Sequence, residues 1–372
     1  MKILHLLSAG ETGGIEVLVS NYAEYSRLHN VFVFIWRGGL YAEKLRAQGN
    51  TVICLDGDKC SPITTLRKLI ETIGKEKPDV VVDHHGAPLT RYAESIAKMW
   101  YHNFALISYI HSNAGDQFWK EKTIKAFLVN RSNVLALKKT DFVIAVSASV
   151  KDSVTKSFSY PEDKMAVLYN GVPLQKYQAA NADNGHTSEH INLVYVGRLT
   201  KIKGVQTIIE AMNLLPANIS LTVVGDGPYR DTLEQLASKC GNRVTFLGSR
   251  SDVPEILAKS DIFVHMPECE EGFGITVVEA MAAGKVCVVA DSGALPEIVT
   301  DSVNGFLVEK GNIQALARKI QEIAGKLASE EMQQIRANAV KRAEDFSIQR
   351  YSEALDALIE STAGKSVSEQ QY

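Results

Sequence analysis

The stretch E-G-F-G-I-T-V-V-E-A-M-A-A-G (271–284) is followed at once by the apolar run V-C-V-V-A (286–290). Gly272 and Gly274 allow the backbone to approach a ligand closely, and the residues after them suit a short helix. The free N–H groups and the dipole at such a helix start favour an anion. Glu279 would lie on an otherwise apolar helix and needs partners, which paired ribose hydroxyls could supply. The stretch therefore predicts a nucleotide-binding turn and helix, and a solvated turn with a stray acid is the alternative.

The composition sets the class of protein. A chain of 372 residues is too long for one core, so two domains are expected, and 45% hydrophobic with 22% charged residues is typical of a soluble globular protein. The opening M-K-I-L-H-L-L-S-A-G reads as a first strand and not as a signal peptide, and no run approaches the length of a membrane span. Five cysteines without C-x-x-C spacing indicate a reducing compartment, so we expect a cytoplasmic protein.

The net charge of −3 gives no reason to expect a nucleic-acid partner. Basic residues nevertheless concentrate between positions 117 and 139, opposed only by Glu121; they are Lys120, Lys122, Lys125, Arg131, Lys138 and Lys139. A helix of this composition could rest on an anionic membrane surface, which makes peripheral membrane contact one interpretation. A solvated helix face is the other interpretation.

Short strands rich in Val, Ile, Leu and Phe alternate with helical patterns, which predicts parallel sheets buried on both faces. Strands are predicted at 2–7, 31–35, 51–55, 79–83, 104–110, 141–146, 191–196, 219–224, 243–247, 261–265, 286–290 and 305–308. Helices are predicted at 15–28, 62–76, 88–100, 117–139, 203–215, 228–240, 252–259, 274–284, 312–327, 329–345 and 347–361.

The alternation of strands and helices is interrupted once, and this interruption divides the chain into two domains. We expect a Rossmann-like domain over 1–172, a polar linker over 173–190, a second Rossmann-like domain over 191–346, and a last helix and tail over 347–372. The predicted fold class is α/β, with two facing doubly wound domains and a cleft between the carboxyl ends of their strands, because ligands bind there in such folds.

The segment G-R-L-T-K-I-K-G (197–204) follows one of the predicted strands of the second domain. Arg198 suits bidentate contact with phosphate and Lys203 supplies a point charge, so together they could balance a diphosphate without a metal. Gly204 would open the next helix. Two ordinary surface cations are the alternative, and the position at a strand end favours the functional interpretation.

Two further strand ends of the second domain are candidates for the nucleotide side of a ligand. Asp226 and Gly227 belong to G-D-G-P (225–228), a turn by composition. Leu247 and Arg250 belong to F-L-G-S-R-S-D-V (246–253), whose backbone could read a base edge. Arg250 could approach that base or remain in water.

The first domain offers a loop and a histidine. Gly13 and Gly14 stand where a helix begins, so their N–H groups could meet a phosphate or an acceptor hydroxyl, although a tight turn is equally consistent. His111 follows a strand and could donate to a substrate hydroxyl or stabilise developing charge, with a structural histidine as the alternative. His84 and His85 end another strand and would at most line the cleft.

A D-G-D pattern at Asp56–Asp58 could hold a divalent cation beside a diphosphate. Such a pattern is also a common turn, and no other acid is near in sequence. We therefore expect no metal site and no cofactor beyond a substrate.

Taken together, the motifs resemble those of the GT-B-fold retaining glycosyltransferases of family four, the group 1 glycosyltransferases. The motifs are G-G-I-E (13–16), His111, N-G-V (170–172), V-G-R-L-T-K-I-K-G (196–204), V-G-D-G-P (224–228), the 271–284 stretch and G-A-L-P-E-I-V (293–299). One departure is H-M-P-E-C-E (265–270), where many members carry a Pro-Ser turn.

The resemblance implies that the last helix, within 347–372, crosses back onto the first domain. It also implies a role for each matching position. Glu279 would hold the ribose of a nucleotide-sugar donor, and Arg198 and Lys203 its diphosphate. Glu271, with the turn that follows it, would hold the sugar hydroxyls, and His111 would contact the sugar near the reacting carbon. The amides assigned to donor binding belong to Gly13, Gly14, Gly272, Phe273, Gly274 and Ile275.

The resemblance also implies metal-independent transfer with retained configuration, from a UDP-sugar to a glycan or lipid-linked acceptor in surface polysaccharide or glycoconjugate biosynthesis. A GT-B sugar-nucleotide epimerase would share the nucleotide site and transfer nothing. A two-domain sugar- or nucleotide-binding module would be non-catalytic. A nicotinamide-dependent oxidoreductase lacks support because no G-x-G-x-x-G precedes a ribose-binding acid.

Overall fold

The computed structural model describes residues 1–11, 13–84, 86–101, 104–113, 134, 137–180 and 190–368. By their contacts these residues divide into two compact units. Met1–Gly171 and Ile348–Tyr372 form the first unit, and Val172–Ser347 form the second. The basic stretch 117–139 lies largely outside the described residues, as does His85.

The first unit is built on a seven-stranded parallel sheet in the order β3-β2-β1-β4-β5-β6-β7. Its strands are β1 Lys2–Leu7, β2 His29–Phe34, β3 Thr51–Cys54, β4 Val80–Asp83, β5 Ala105–Ile110, β6 Phe142–Ala145 and β7 Met165–Val167. Its described helices before the second unit are α1 Gly14–Tyr25, α2 Leu40–Ala47, α3 Pro62–Glu76, α4 Pro88–Tyr101 and α5 Ala148–Phe158.

The second unit carries a six-stranded parallel sheet in the order β10-β9-β8-β11-β12-β13. Its strands are β8 Ile191–Val196, β9 Ile219–Val224, β10 Val244–Gly248, β11 Ile262–His265, β12 Val286–Asp291 and β13 Phe306–Glu309. Its helices are α6 Gln175–Ala180, α7 Val205–Met212, α8 Arg230–Ala237, α9 Val253–Ala258, α10 Ile275–Ala282, α11 Leu295–Ile298, α12 Ile313–Gly325 and α13 Glu330–Ala343.

The central strands explain why each unit is a doubly wound sheet. All four residues of β4 are buried, as are all four of β11, so both faces of these strands need cover. Helices supply that cover, and parallel pairing follows because each strand is reached through a helical crossover. The chain order reverses direction beside β1 in the first sheet and beside β8 in the second, which is the position where such sheets bind ligands.

The last helix, α14 Ile348–Ser368, returns to the first unit and packs on α1. Its buried Asp356 accepts a hydrogen bond from the Tyr22 hydroxyl at 2.6 Å and one from the Arg27 amide at 3.0 Å. A Cβ on Gly171 would lie 2.6 Å from the Cβ of Tyr351, so only glycine permits this close packing.

Five of these strands and helices were not predicted, and the short helices α2 and α11 are two of them. Helix α5 was not predicted, although Ser147 caps it and Val150, Val154 and Phe158 recur at helical spacing on its buried side. Strand β7 has only three residues, which is too short for a periodic pattern. Helix α6 falls within the segment assigned to the linker. No described helix combines the length and the apolar character needed to cross a bilayer.

Candidate active site

Most of the predicted site residues lie in the second unit, in loops that follow β8, β9, β10 and β11. Because parallel strands end at one edge of a sheet, these loops are neighbours. The backbone joins them directly: the Leu199 amide donates to the Asp226 carbonyl at 2.9 Å, and the Glu268 amide donates to the Ile202 carbonyl at 2.9 Å. The edge is therefore a connected surface built from separate parts of the sequence.

Gly204 allows the loop after β8 to touch the loop after β11. Its φ is +67°, and a Cβ there would lie 1.7 Å from the carbonyl oxygen of Met266. A side chain at this position would force the two loops apart, because a backbone atom cannot yield as a flexible side chain can. This close approach brings Lys203 beside Glu271, 68 positions later in the sequence.

Lys203, Glu271 and His265 form a polar cluster. The Lys203 ammonium lies 2.7 Å from Oε2 of Glu271, and Nε2 of His265 lies 3.1 Å from the same oxygen. The side chains of Glu271 and His265 are only 12% and 4% exposed, whereas that of Lys203 is 29% exposed. The cluster is therefore anchored inside the protein and reaches the surface through the lysine.

Burial by itself would raise the pKa of Glu271, but the His265 hydrogen bond and the Lys203 charge outweigh it and hold the pKa below its usual range. Both partners contact Oε2, so Oε1 of this carboxylate has no protein partner within the described ranges. The buried Nδ1 of His265 also has none. An ionised carboxylate with one unused oxygen is well suited to accept a hydrogen bond from a hydroxyl group.

The turn between Glu271 and α10 is held in place by close contacts with Gly293 and Phe346. Gly293 has a φ of +59°, and a Cβ there would lie 2.4 Å from the Glu271 amide nitrogen. Phe273 is buried and meets the ring of Phe346 edge to face at 5.5 Å. Gly274 takes a φ of +107° as the residue before the helix, so the amides of the turn precede the helical hydrogen-bond ladder. The turn therefore leads into the short helix that the sequence predicted after Gly274.

Glu279 lies on α10, one turn beyond the helix start, and is half-buried. Burial raises its pKa to about 7, opposed by a hydrogen bond from the Tyr177 hydroxyl and by the charge of Lys176. Tyr177 is buried on α6, which packs on α10. Near neutral pH this carboxylate is therefore poised between its two protonation states.

The remaining predicted residues of this unit differ in their exposure and in the side-chain contacts that they make. Arg198 is exposed and makes no ion pair within the described part of the chain. Asp226 accepts from the amide of Gly227 and pairs with Arg230 at 3.1 Å. Leu247 is 38% exposed on β10.

Two charged residues near this edge are engaged by neighbours. Arg250 and Asp252 form a bidentate pair at 2.6 and 2.7 Å, which occupies the guanidinium. Glu270, one of the acids in the departure from the family pattern, pairs with Lys310 at 2.6 Å and accepts from the Gly293 amide. Both side chains are thus held in surface contacts.

In the first unit, Gly13 and Gly14 stand at the start of α1, as expected. A Cβ on Gly13 would lie 2.3 Å from a carboxylate oxygen of Glu16, whose pKa is raised by burial. The acid of G-G-I-E therefore reaches back to the helix start. Asp56 adopts a left-handed turn conformation and its carboxylate lies 3.7 Å from the Lys59 ammonium.

His111 follows β5, as predicted, and is half-buried. Its Nε2 lies 3.2 Å from Nδ1 of His84, which the sequence had suggested only as a lining residue. Sequence reasoning also missed His265 and Tyr177, the hydrogen-bond partners of Glu271 and Glu279. His265 could have been recognised as the last residue of a strand, six positions before Glu271, whereas Tyr177 gave no signal.

Comparisons with known proteins cover most of the chain. A model described as "Glycosyltransferase Family 4" matches residues 12–176, and one described as "Glycosyl transferases group 1" matches residues 177–342. An uncharacterized glycosyltransferase of Methanocaldococcus jannaschii is 37% identical over 49% of this chain and 50% of its own length. The N,N'-diacetylbacillosaminyl-diphospho-undecaprenol alpha-1,3-N-acetylgalactosaminyltransferase of Campylobacter jejuni is 26% identical over 90% of this chain and 92% of its own length.

For three of the curated relatives, including the archaeal protein, the match spans only 50–66% of the relative's length. Among solved structures, Anabaena Alr3699/HepE in complex with UDP and glucose superposes with a TM-score of 0.83, at 23% identity, over 97% of this chain and 100% of that one. The likeness confirms the predicted fold, two Rossmann-like domains of the GT-B type.

Proposed function

This chain belongs to the group 1 glycosyltransferases of family four, and on that premise we propose that it transfers a sugar from a nucleotide diphosphate sugar to an acceptor hydroxyl. The observation that carries the proposal is the polar edge of the second unit. There, Lys203 and Arg198 offer positive charge and Glu271 offers a carboxylate, within loops joined through backbone contacts. Glu279 offers a second carboxylate on helix α10, which follows the last of these loops.

The two cations are assigned to the diphosphate. The Lys203 ammonium has three donors and gives one to Glu271, which leaves donors for a phosphate oxygen. Arg198 is exposed and unpaired in the described chain, and its planar group suits bidentate phosphate contact. Preorganised charge at the phosphates would be the largest contribution to catalysis, because negative charge builds there as the leaving group departs.

The two glutamates are assigned to hydroxyl groups. Glu279, when ionised, can accept from both hydroxyls of a ribose. The unused Oε1 of Glu271, supported by the turn amides of Gly272–Gly274, would accept from the transferred sugar. Pairing with Lys203 and His265 holds Glu271 ionised and in one position, so it can orient a sugar without a rearrangement.

We further propose that transfer proceeds with retained configuration and without a metal ion. Oε2 of Glu271 already accepts from Lys203 and His265, and the low pKa of this carboxylate makes it a poor nucleophile. Attack by the acceptor on the face that the leaving group vacates, through an oxocarbenium-like sugar, needs no such nucleophile. The two cations would supply the charge that a metal supplies elsewhere.

The proposed donor is a UDP-sugar, since UDP is bound in the Anabaena structure that shares this fold. The proposed acceptor is a glycan or lipid-linked glycan of surface polysaccharide or glycoconjugate biosynthesis. The Campylobacter relative, which aligns along nine tenths of this chain, is named for a diphospho-undecaprenol acceptor.

We propose a cytoplasmic location with peripheral contact to anionic membrane, which fits a lipid-linked acceptor. The basic residues between 117 and 139 motivate this contact. Helix α4 of the same unit exposes Met99, Trp100 and Tyr101 at its end, at 58%, 64% and 40%. Exposed aromatic and apolar side chains of this kind are suited to a membrane interface.

A two-step experiment tests the function. The purified chain is screened with UDP-, GDP- and ADP-linked sugars by thermal denaturation, because a bound donor raises the melting temperature by mass action. The best donor is then incubated with and without lipid-linked acceptors while release of the nucleoside diphosphate is followed. Acceptor-dependent release supports a transferase, conversion of the donor alone indicates an epimerase, and stabilisation without turnover indicates a binding module.

A further inference from the structure

Three histidines of the first unit are hydrogen-bonded in a row. Nδ1 of His5 on β1 lies 3.1 Å from Nε2 of His84, and Nδ1 of His84 lies 3.2 Å from Nε2 of His111. The rings stack at centroid distances of 5.4 and 5.5 Å. His5 and His84 are buried, so water does not separate the members of the row.

The inner end of the row is fixed by Asn30 on β2. Its Oδ1 lies 3.0 Å from Nε2 of His5, and its Nδ2 donates to the Ser26 hydroxyl at 2.9 Å and to the Leu28 carbonyl at 3.3 Å. A carbonyl oxygen can only accept, so the amide nitrogen must face Leu28 and the amide oxygen must face His5. Asn30 therefore presents an acceptor to the row.

A neutral imidazole has one N–H and one lone pair, and each contact between rings needs one of each. Because Asn30 accepts, His5 must carry its proton on Nε2, and its Nδ1 must accept from His84. The same logic places the proton of His84 on Nε2 and that of His111 on Nε2. We infer that Asn30, acting through His5 and His84, fixes His111 as the Nε2–H tautomer with an unprotonated Nδ1.

Burial keeps the three rings neutral, which the argument requires. It lowers the pKa of His5 to about 4 and that of His111 to about 3, and it lowers the pKa of His84 well below its ordinary value. The hydrogen bond to Asn30 and, to a smaller extent, the charge of Asp356 on the last helix partly offset the lowering of the His5 pKa. At neutral pH each ring therefore keeps a single proton.

Nδ1 of His111 is the one ring nitrogen of the row that has no protein partner within the described ranges. In the inferred tautomer it accepts a hydrogen bond and cannot donate one. The consequence for substrate binding rests on the proposed function. His111 would accept a hydrogen bond from a hydroxyl of the sugar or acceptor, whereas the sequence suggested that it donates one. Asn30, His5 and His84 act as positioning residues.

Nitrogen-15 NMR of the full chain labelled on histidine tests the inference without any ligand. Long-range correlation distinguishes a protonated from an unprotonated ring nitrogen, and spectra of His5→Gln, His84→Gln and His111→Gln assign the signals. We expect protonated Nε2 and unprotonated Nδ1 in all three rings at neutral pH. A protonated Nδ1 in His111 would overturn the inference.

Two variants test the long-range control. Asn30→Leu removes the acceptor at similar volume, so Nε2 of His5 would face an apolar group and an N–H there would lose its partner. Neither direction of the row is then favoured by an acceptor at its inner end, so the His111 signals should shift toward a mixture in which Nδ1 is partly protonated. Ser26→Ala is the matched control: it removes one partner of Asn30, the Leu28 carbonyl still fixes the amide, and His111 should keep its tautomer.

An unchanged His111 signal in folded Asn30→Leu would contradict control by Asn30, and a reversal in Ser26→Ala would do the same. If Asn30→Leu does not fold, the spectra of the unmodified chain and Ser26→Ala still decide the tautomer. Because these spectra need no donor, a failure here is distinct from a failure of the transfer assay.

Discussion

The ammonium of Lys203 lies 2.7 Å from a carboxylate oxygen of Glu271. The two residues belong to different loops, which can approach this closely because residue 204 is a glycine. The pair combines two roles that a sugar transferase needs at one place. The lysine places a positive charge at the surface, and one carboxylate oxygen of the glutamate has no hydrogen-bond partner among the described residues. Neither loop alone would create this arrangement.

Lys203→Ala is expected to abolish donor binding and to lower turnover by about 100-fold or more, the usual cost of removing one preorganised charge partner. Lys201→Ala is the matched control, because Lys201 lies in the same short 3₁₀ turn, is exposed and makes no side-chain hydrogen bond or ion pair among the described residues. Calorimetric titration with the donor and initial rates measure both. Equal losses of donor affinity and turnover in the two variants would contradict the assignment of Lys203 to the donor site.

Gly204→Ala is expected to lower the free energy of unfolding more than Gly311→Ala does. Both residues have a positive φ, +67° and +76°, so both variants bear the strain of a backbone conformation that alanine disfavours, about 1–2 kcal/mol. Of the two, only Gly204 would also bring a Cβ against a backbone oxygen, at 1.7 Å, while a Cβ at Gly311 would have nothing within 4 Å. Denaturant titration measures the difference. Similar losses would show that the loops do not need this contact.

Glu279→Gln tests the raised pKa of Glu279 through stability. Between its ordinary value of 4.5 and its folded value of about 7, the unfolded chain has lost a proton that the folded chain keeps. Stability therefore falls as pH rises through this range, and the full penalty is present above about pH 7. Glutamine cannot ionise, so the melting temperature of the variant, relative to that of the unmodified chain, should increase as pH rises through this range.

Thermal denaturation of both proteins from about pH 4 to about pH 8 follows this gain. The measurement contains its own reference, because the two curves should differ least at the acidic end, where both states keep the proton. A difference that stays constant with pH would contradict the burial effect.

Tyr177→Phe is expected to raise the pKa of Glu279 further, because the Tyr177 hydroxyl bond lowers it. The ionised carboxylate accepts from ribose hydroxyls, so donor affinity should strengthen as pH rises through about 7 in the unmodified chain and at higher pH in the variant. Tyr229→Phe is the control, since its hydroxyl makes no hydrogen bond in the described chain. Titration across pH measures this; overlapping profiles for all three proteins would exclude the role of Tyr177.

Membrane contact predicts co-sedimentation with vesicles that strengthens with anionic lipid and weakens with salt. Trp100→Ser should weaken it, because this exposed side chain would leave the interface. Exposed Ile63 on α3 offers a control in Ile63→Ser. Binding that ignores both lipid charge and salt would end the membrane proposal.

The sequence predicted the sheets well because parallel strands buried on both faces are continuous apolar runs, as in Val80–Asp83 and Ile262–His265. It failed where the signal was short, as in Met165–Val167. The family and the GT-B fold followed from motifs at the strand ends. The pairing of Lys203 with Glu271, and of Tyr177 with Glu279, could not be predicted, since each depends on a contact between distant segments.

The central claim is that one edge of the second unit holds the diphosphate and ribose of a donor. A crystal structure with bound UDP tests it most directly. The account predicts phosphate oxygens within hydrogen-bond distance of Arg198 and Lys203, and both ribose hydroxyls at the Glu279 carboxylate. A nucleotide bound elsewhere, or bound here with these side chains turned away, would contradict it.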